Sequence, residues 1–343
     1  MKKKASLLLA IMLVFALLMS GCGAKSSPAE ATGDKNAVKP LKVALILPGK
    51  VDDVSWNQAM HEGMKELEKD YAGKIEVTYS ENVYEVSNIE PALREFASQG
   101  YDLVIGHGFQ FQEPIIKVAG EFPKVKFALG TGFKTLANTA IYDVQLEDGG
   151  YLMGTLAGLL TKTNKIGVVG GADVSEIYRG HEAYKYAAKK VNPSIQIQEL
   201  YTGDWRDAAK AKEGAISMFD SGADLIWHSG DGIGLGVVEA GKEKNKLVLG
   251  NVADQNVLAP NNVLSGIVYN WNPVLKQIVD DILNNNFENR EDKHYWLTVA
   301  NGGVTVASFH GLDSQVSAEV KEKLEQVKKD FADKKIEMPK FDK

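Results

Sequence analysis

From Leu41 onward the chain alternates between short apolar runs and longer stretches whose apolar residues recur at helical spacing. Lys42–Leu47 (KVALIL) is apolar after its first residue and is closed by Pro48-Gly49, the pattern of a strand buried on both faces. Met60, Met64, Leu67 and Tyr71 follow at steps of 4, 3 and 4, which puts them on one helix face. Ile75–Tyr79 reads as a strand, Ile89, Leu93, Phe96 and Ala97 mark a helix, Leu103–Ile105 and Lys126–Leu129 are strands, and Gly149–Leu160 is a helix. A second set opens with strand Lys165–Val169 and runs through a helix near 176–191, strand Ile195–Leu200 and a helix near 206–220. It ends with strand Leu225–Trp227, a helix near 235–243 and strand Lys246–Leu249. Alternating β and α units imply an α/β fold whose parallel sheets carry helices on both faces.

The two sets echo each other. Phe96–Gly108 (FASQGYDLVIGHG) resembles Phe219–Gly230 (FDSGADLIWHSG) with one residue deleted. Each is a helix end, a glycine turn, an Asp-Leu strand start and a glycine at the strand's carboxyl end. Two similar lobes are therefore expected. Parallel α/β sheets take ligands at strand carboxyl ends, so facing lobes make a cleft that closes by a hinge.

Ahead of the folded part, Lys2, Lys3 and Lys4 precede a run from Ala5 to Met19 that is apolar except for Ser6. Its length suits a signal peptide rather than a membrane span. The run ends Leu18-Met19-Ser20-Gly21-Cys22, which looks like a bacterial lipobox cut before Cys22, the only cysteine in the chain. Residues 1–21 are thus expected to be a lipoprotein signal peptide and 22–40, small and polar, a flexible tether. A plain secretory signal with an incidental cysteine is the alternative. A single cysteine excludes an intramolecular disulfide framework and any multi-cysteine metal site. The net charge of −6 argues against nucleic acid as a partner.

Enzyme signatures are missing. His61-Glu62 and His181-Glu182 lack the second histidine of a zinc protease, and neither a Gly-x-Ser-x-Gly elbow nor a phosphate-binding Walker loop occurs. Gly230–Gly236 (GDGIGLG) is glycine-rich but not spaced as a dinucleotide fingerprint, so tight packing and backbone N–H groups facing the cleft are its expected roles. His107 and His228, at strand ends, read as structural. No metal or cofactor is expected. Aromatic residues give a sharper signal. Trp56 beside Asn57, Phe109 and Phe111, Trp205, and Tyr269 with Trp271 all follow strands, in loops that would face a cleft. Core packing explains any one of them; several together suggest a flat ring held between aromatic faces.

Six stretches in order resemble the basic membrane protein family of bacterial substrate-binding lipoproteins, which serve ABC importers and include purine nucleoside receptors. They are Asp53–Asn57 (DVSWN), Phe122–Phe127 (FPKVKF), Gly150–Gly158 (GYLMGTLAG), Thr161–Gly171 (TKTNKIGVVGG), Asp254-Gln255 and Val263–Val268 (VLSGIV). The resemblance implies a type I periplasmic-binding fold, two Rossmann-like lobes with parallel sheets joined by a hinge of three crossovers. The lobes would be 41–144 with 268–294, and 145–267 with 295–343. Carried over by position, Trp56 would stack on a base with Asn57 hydrogen-bonding near it, Trp205 would face the opposite side, and Asp254 would lie at the cleft edge. Asp53, Phe109, Gly230 and Tyr269 complete the expected ligand site, and Cys22 is the lipidation site. Two departures stand out: Val252 and the Tyr269-Asn270-Trp271 run replace an Asp and a Lys expected to contact ribose. The variant with Trp resembles a branch thought to take purine bases or related heterocycles. The expectation is a monomeric, non-catalytic receptor lipid-anchored on the outer face of the cell membrane. It would pass a purine base or nucleoside to an ABC permease. A sensory ligand-binding lipoprotein and a secreted nucleoside hydrolase are the alternatives.

Overall fold

The computed structural model describes residues 39–290 and 292–341. The expected signal peptide, Cys22 and the tether up to residue 38 lie outside the described residues.

The first part of the chain builds β1 (Leu41–Ile46), α1 (Trp56–Asp70), β2 (Ile75–Ser80), α2 (Val86–Ser98), β3 (Leu103–Gly106), α3 (Gln112–Glu121), β4 (Lys126–Gly130) and β5 (Thr139–Val144). The second part builds α4 (Leu146–Leu160), β6 (Lys165–Gly170), α5 (Ser175–Val191), β7 (Gln196–Tyr201), α6 (Ala208–Asp220), β8 (Leu225–Ser229), α7 (Gly232–Lys244), β9 (Leu247–Gly250) and β10 (Val263–Tyr269). The chain then adds α8 (Asn272–Leu283), β11 (His294–Leu297), β12 (Val304–Val306) and α9 (Ala318–Ala332). Two six-stranded sheets result, ordered β11-β5-β4-β3-β1-β2 and β12-β10-β9-β8-β6-β7. The first sheet is parallel throughout. In the second, β12 alone runs antiparallel, against β10.

The two-residue period of a strand is visible in the packing. In β1, Val43 and Leu45 join one apolar cluster while Ala44 and Ile46 join another under α2 and α3. In β8, Leu225 and Trp227 face the first cluster and Ile226 a third, under α6 and α7. Such strands are buried on both faces, which is why they read as continuous apolar runs.

The crossings between sheets differ from the expected boundaries. β10 stays in the second sheet through Tyr269, and all of β11 pairs with β5 in the first. The first lobe therefore regains the chain after Tyr269, not at 268, and keeps it through Leu297, not 294. Strand pairing sets this boundary, and pairing partners far apart in sequence leave no local mark.

Helices α4 and α5 pack unusually close. A Cβ on Gly150 or Gly154 would strike the carbonyl oxygen of Gly180 or of Tyr184, and one on Gly158 would lie 2.9 Å from the Ala188 oxygen. Glycine spaced at four residues lets two backbones touch, and α5 is thereby fixed to α4. Its first turn carries Ser175, Glu176 and, one turn on, Arg179.

Candidate functional site

A cavity of about 380 Å³ lies at the carboxyl ends of the strands of both sheets. That volume is at the small end of the range for ligand pockets. The first lobe contributes Trp56, Phe109, Thr131, Phe133 and Asp143, and the second contributes Glu176, Arg179, Trp205, Asp231, Asn251, Val252 and Tyr269.

Trp56 opens α1, directly after the loop that follows β1. Its ring stacks on His107 at 4.2 Å and 10°, with Trp271 and Tyr269 edge-on at 5.4 and 6.4 Å. Its Nε1–H donates to the His107 carbonyl at 3.3 Å. His107 Nε2 lies 3.1 Å from the Trp56 carbonyl, which only accepts, so Nε2 carries the proton and Nδ1 accepts from the Tyr142 hydroxyl at 2.8 Å. Burial lowers the His107 pKa to about 3, so the ring stays neutral. One indole face is thus covered by a fixed, uncharged plane, and the opposite face is the one the residue can offer to the cavity.

The loops that bring these residues together are strained. Val54, Thr131 and Val252, all β-branched, have φ of 52°, 53° and 71°, a region such residues rarely adopt. Thr131 and Val252 line the cavity itself. Each costs about 1–3 kcal/mol and persists only because its surroundings over-determine it. Val54 is held from both lobes: its N–H donates to Gln58 Oε1 at 3.0 Å, and Gln255 Nε2 of the other lobe donates to its carbonyl at 3.3 Å. Gln255 is itself oriented by His228 Nε2 at 2.8 Å and the Asn251 N–H at 3.2 Å, both on its Oε1. A second bridge joins the lobes where the Asp231 carboxyl, at the start of α7, faces the Trp56 N–H. Burial and then the nearby Asp53 raise the Asp231 pKa to about 6.

Of the residues singled out in the sequence, Trp56, Phe109, Trp205, Gly230 and Tyr269 line the cavity. Asp53, Asn57 and Asp254 do not. Asp53 accepts hydrogen bonds from the N–H groups of Ser55, Asn57 and Gln58 at 2.9, 3.1 and 3.0 Å and from Asn57 Nδ2 at 2.6 Å, so it caps the start of α1. Asn57 Oδ1 accepts from the Gly49 N–H at 2.9 Å and fixes the end of the preceding strand loop. Asp254 pairs with His310 at 2.6 Å. All three have their polar atoms turned to local partners rather than to the cavity. Trp271 and Phe111 are fully buried core residues. The glycine-rich run is mostly helical. Gly234 and Gly236 lie in α7, packed against the His228 ring and the Ala208 carbonyl, which is the tight packing expected of it.

Asp143, Glu176, Arg179 and Asn251 are among the lining residues that sequence reasoning missed. Asp143 sits near the end of an apolar strand, and Glu176 looks like an ordinary acidic residue in a helix's first turn. Ser229, His181 and Glu199 form a hydrogen-bonded series, with His181 Nε2 2.6 Å from Ser229 Oγ and Nδ1 2.8 Å from Glu199 Oε1. Ser229 and His181 are fully buried and neither lines the cavity, so the series props the wall beside Gly230 and has no reach to a substrate.

Comparison with known proteins adds to this geometry. Residues 41–341 match the family described as ABC transporter substrate-binding protein, PnrA-like. The chain is 30% identical to the ABC transporter nucleoside-binding protein BmpA of Lactococcus lactis over 360 aligned positions, 99% of both chains. It is 27% identical to a purine-binding protein of Brucella abortus over 284 positions, 83% of this chain and 80% of the relative. Among solved structures, an ABC transporter solute-binding protein from Conexibacter woesei superposes with a TM-score of 0.71 at 27% identity, covering 88% of this chain and 99% of that one.

Proposed function

We infer the function from the premise that the match over residues 41–341 establishes: the chain belongs to the PnrA-like ABC transporter substrate-binding proteins. Proteins of this class work outside the cytoplasm, and no helix among the described residues is long and apolar enough to cross a membrane. Our reading is a receptor tethered by lipid on Cys22 that catalyses no reaction. It holds a flat nitrogen heterocycle, a purine base or nucleoside, between its lobes and hands it to a permease.

The observation that carries the ligand class is Trp56, whose indole is backed by neutral His107 at 4.2 Å and lines a cavity that Trp205 lines from the other lobe. A rigid aromatic plane presented to a small cavity favours a ring laid parallel to it. The names of the Lactococcus and Brucella relatives point to the same class. Val252, buried and lining the cavity, has no side-chain acceptor for a sugar hydroxyl, so the free base should bind at least as tightly as its nucleoside.

Calorimetric titration of the mature chain with adenine, adenosine, guanine and guanosine tests this. Binding of a base at least as tight as its nucleoside is expected, with Trp56→Ala weakening both about tenfold or more. Clear preference for nucleosides would overturn the base assignment, and binding of none of the four would overturn the purine class.

A further inference from the structure

Two carboxyls and an amide oxygen reach the cavity as acceptors. Glu176 reaches it from the first turn of α5 and Asp143 from the end of β5, so the two lobes each supply a carboxyl. Glu176 makes no side-chain hydrogen bond among the described residues. Asn251, 3% exposed and lining the same cavity, has an Oδ1 with no hydrogen-bond partner. Two guanidiniums line the same cavity: Arg206 stacks over the Tyr84 ring, and Arg179 is divided between Glu147 and Asp143. Arg179 Nε lies 3.1 Å from Glu147 Oε2, and its Nη2 is 3.9 Å from Asp143 Oδ2.

Resting on the reading that this cavity holds a flat heterocycle, we propose that Glu176, Asp143 and Asn251 make it select rings bearing an amino group beside a ring nitrogen over the corresponding oxo rings. An amino–imino edge supplies two N–H donors for two acceptors, and its ring nitrogen accepts a proton from a neutral carboxyl. An oxo edge supplies only one N–H; its carbonyl oxygen can take the neutral carboxyl's proton as the ring nitrogen does, but one of the two acceptors is left unpaired. A buried polar group without its partner is what lets a site reject a close analogue strongly. The carboxyls are suited to the donating role as well. Burial, against the weaker pull of Arg179, raises Asp143 to about 7, and burial with Asp143 and Glu147 close by pushes Glu176 well above the carboxylate range. Tyr269, whose hydroxyl faces Asn251, is raised by burial and by the same two carboxyls and so stays a protonated phenol.

The test is calorimetric titration of the mature wild-type chain and of Glu176→Gln with adenine and hypoxanthine, which share a ring system and differ at this edge. Wild type is expected to prefer adenine by tenfold or more. Glu176→Gln keeps the size but adds a permanent N–H donor, and should cut the preference at least several-fold, mostly by improving hypoxanthine. Asp143→Asn should move the ratio the same way and serves where Glu176→Gln does not fold. Equal binding of the two bases by wild type, or a ratio unchanged in a folded variant, overturns the selectivity while leaving a purine receptor in place. Binding of neither base by wild type overturns both.

Discussion

Replacing Gly154 by alanine adds one methyl group where two helix backbones already touch. An alanine Cβ at this position would stand 2.8 Å from the carbonyl carbon of Tyr184 and 2.9 Å from its Cα, closer still to its oxygen. Carbon atoms prefer about 3.5–4.0 Å, so α5 has to retreat by roughly 1 Å along its contact with α4. No flexible side-chain end is present to give way instead. Overpacking of this kind costs about 1–3 kcal/mol, and contact with backbone places it at or above the upper end. Against that stands the gain from exchanging a helical glycine for alanine, about 1 kcal/mol. The net expectation is a loss of about 2 kcal/mol. Gly120 in α3 provides the control. Nothing lies within 4 Å of its would-be Cβ, so Gly120→Ala receives the helix gain without the clash and should stabilise by about 0.5–1 kcal/mol. Urea unfolding of the mature chain and both variants, followed by circular dichroism, reads the two signs directly. A Gly154→Ala midpoint at or above that of wild type would refute the claim that these helices meet backbone to backbone. Because α5 carries Glu176 and Arg179, Gly154→Ala should also weaken ligand binding in the fraction that remains folded.

A pH effect follows from Asp148, 5% exposed, whose carboxylate accepts the Val299 N–H at 3.0 Å while burial raises its pKa to about 7. The folded chain holds this proton where the unfolded chain has released it, so its contribution is greatest at low pH and is lost as pH rises from about 4 to about 7. At about 1.4 kcal/mol per unit the loss is of order 4 kcal/mol, and Asp148→Asn should remove it, matching wild type at about pH 4 and below and exceeding it near pH 8 in urea unfolding. Equal pH slopes in the two proteins would contradict the assignment. For Cys22, replacement by serine should abolish lipid labelling and membrane retention in fractionated cells; unchanged labelling would rule out the lipobox.

The alternation of strands and helices was legible because doubly covered strands leave unbroken apolar runs and their helices leave a 3.6-residue period. Trp56, Phe109, Trp205, Gly230 and Tyr269 were legible for a related reason: in a parallel α/β fold the residues that follow strands face the ligand side. Asp53 and Asn57 shared that position, yet their short side chains fold back on the loop's own N–H groups. Sequence position fixes the loop a residue belongs to, not which way its polar atoms turn. Asp143 and Glu176 were invisible for the opposite reason. They come from different elements, joined only in space, and neither differs locally from the acidic residues that decorate strand ends and helix starts everywhere.

The order in which the chain is made bears on the two sheets unequally interleaved along it. The first sheet lacks its edge strand β11 until residue 297 has been synthesised, and the second lacks β12 until residue 306. Neither lobe is a continuous segment, so neither can be completed early and left behind while the rest emerges. Pairings as distant as β5 with β11 close slowly because a long loop has to be ordered before they form. A polypeptide with this threading stays unfinished until nearly all of it exists. That delay is an advantage for a protein bound for the far side of a membrane, since a translocation channel passes extended chain and rejects a finished fold.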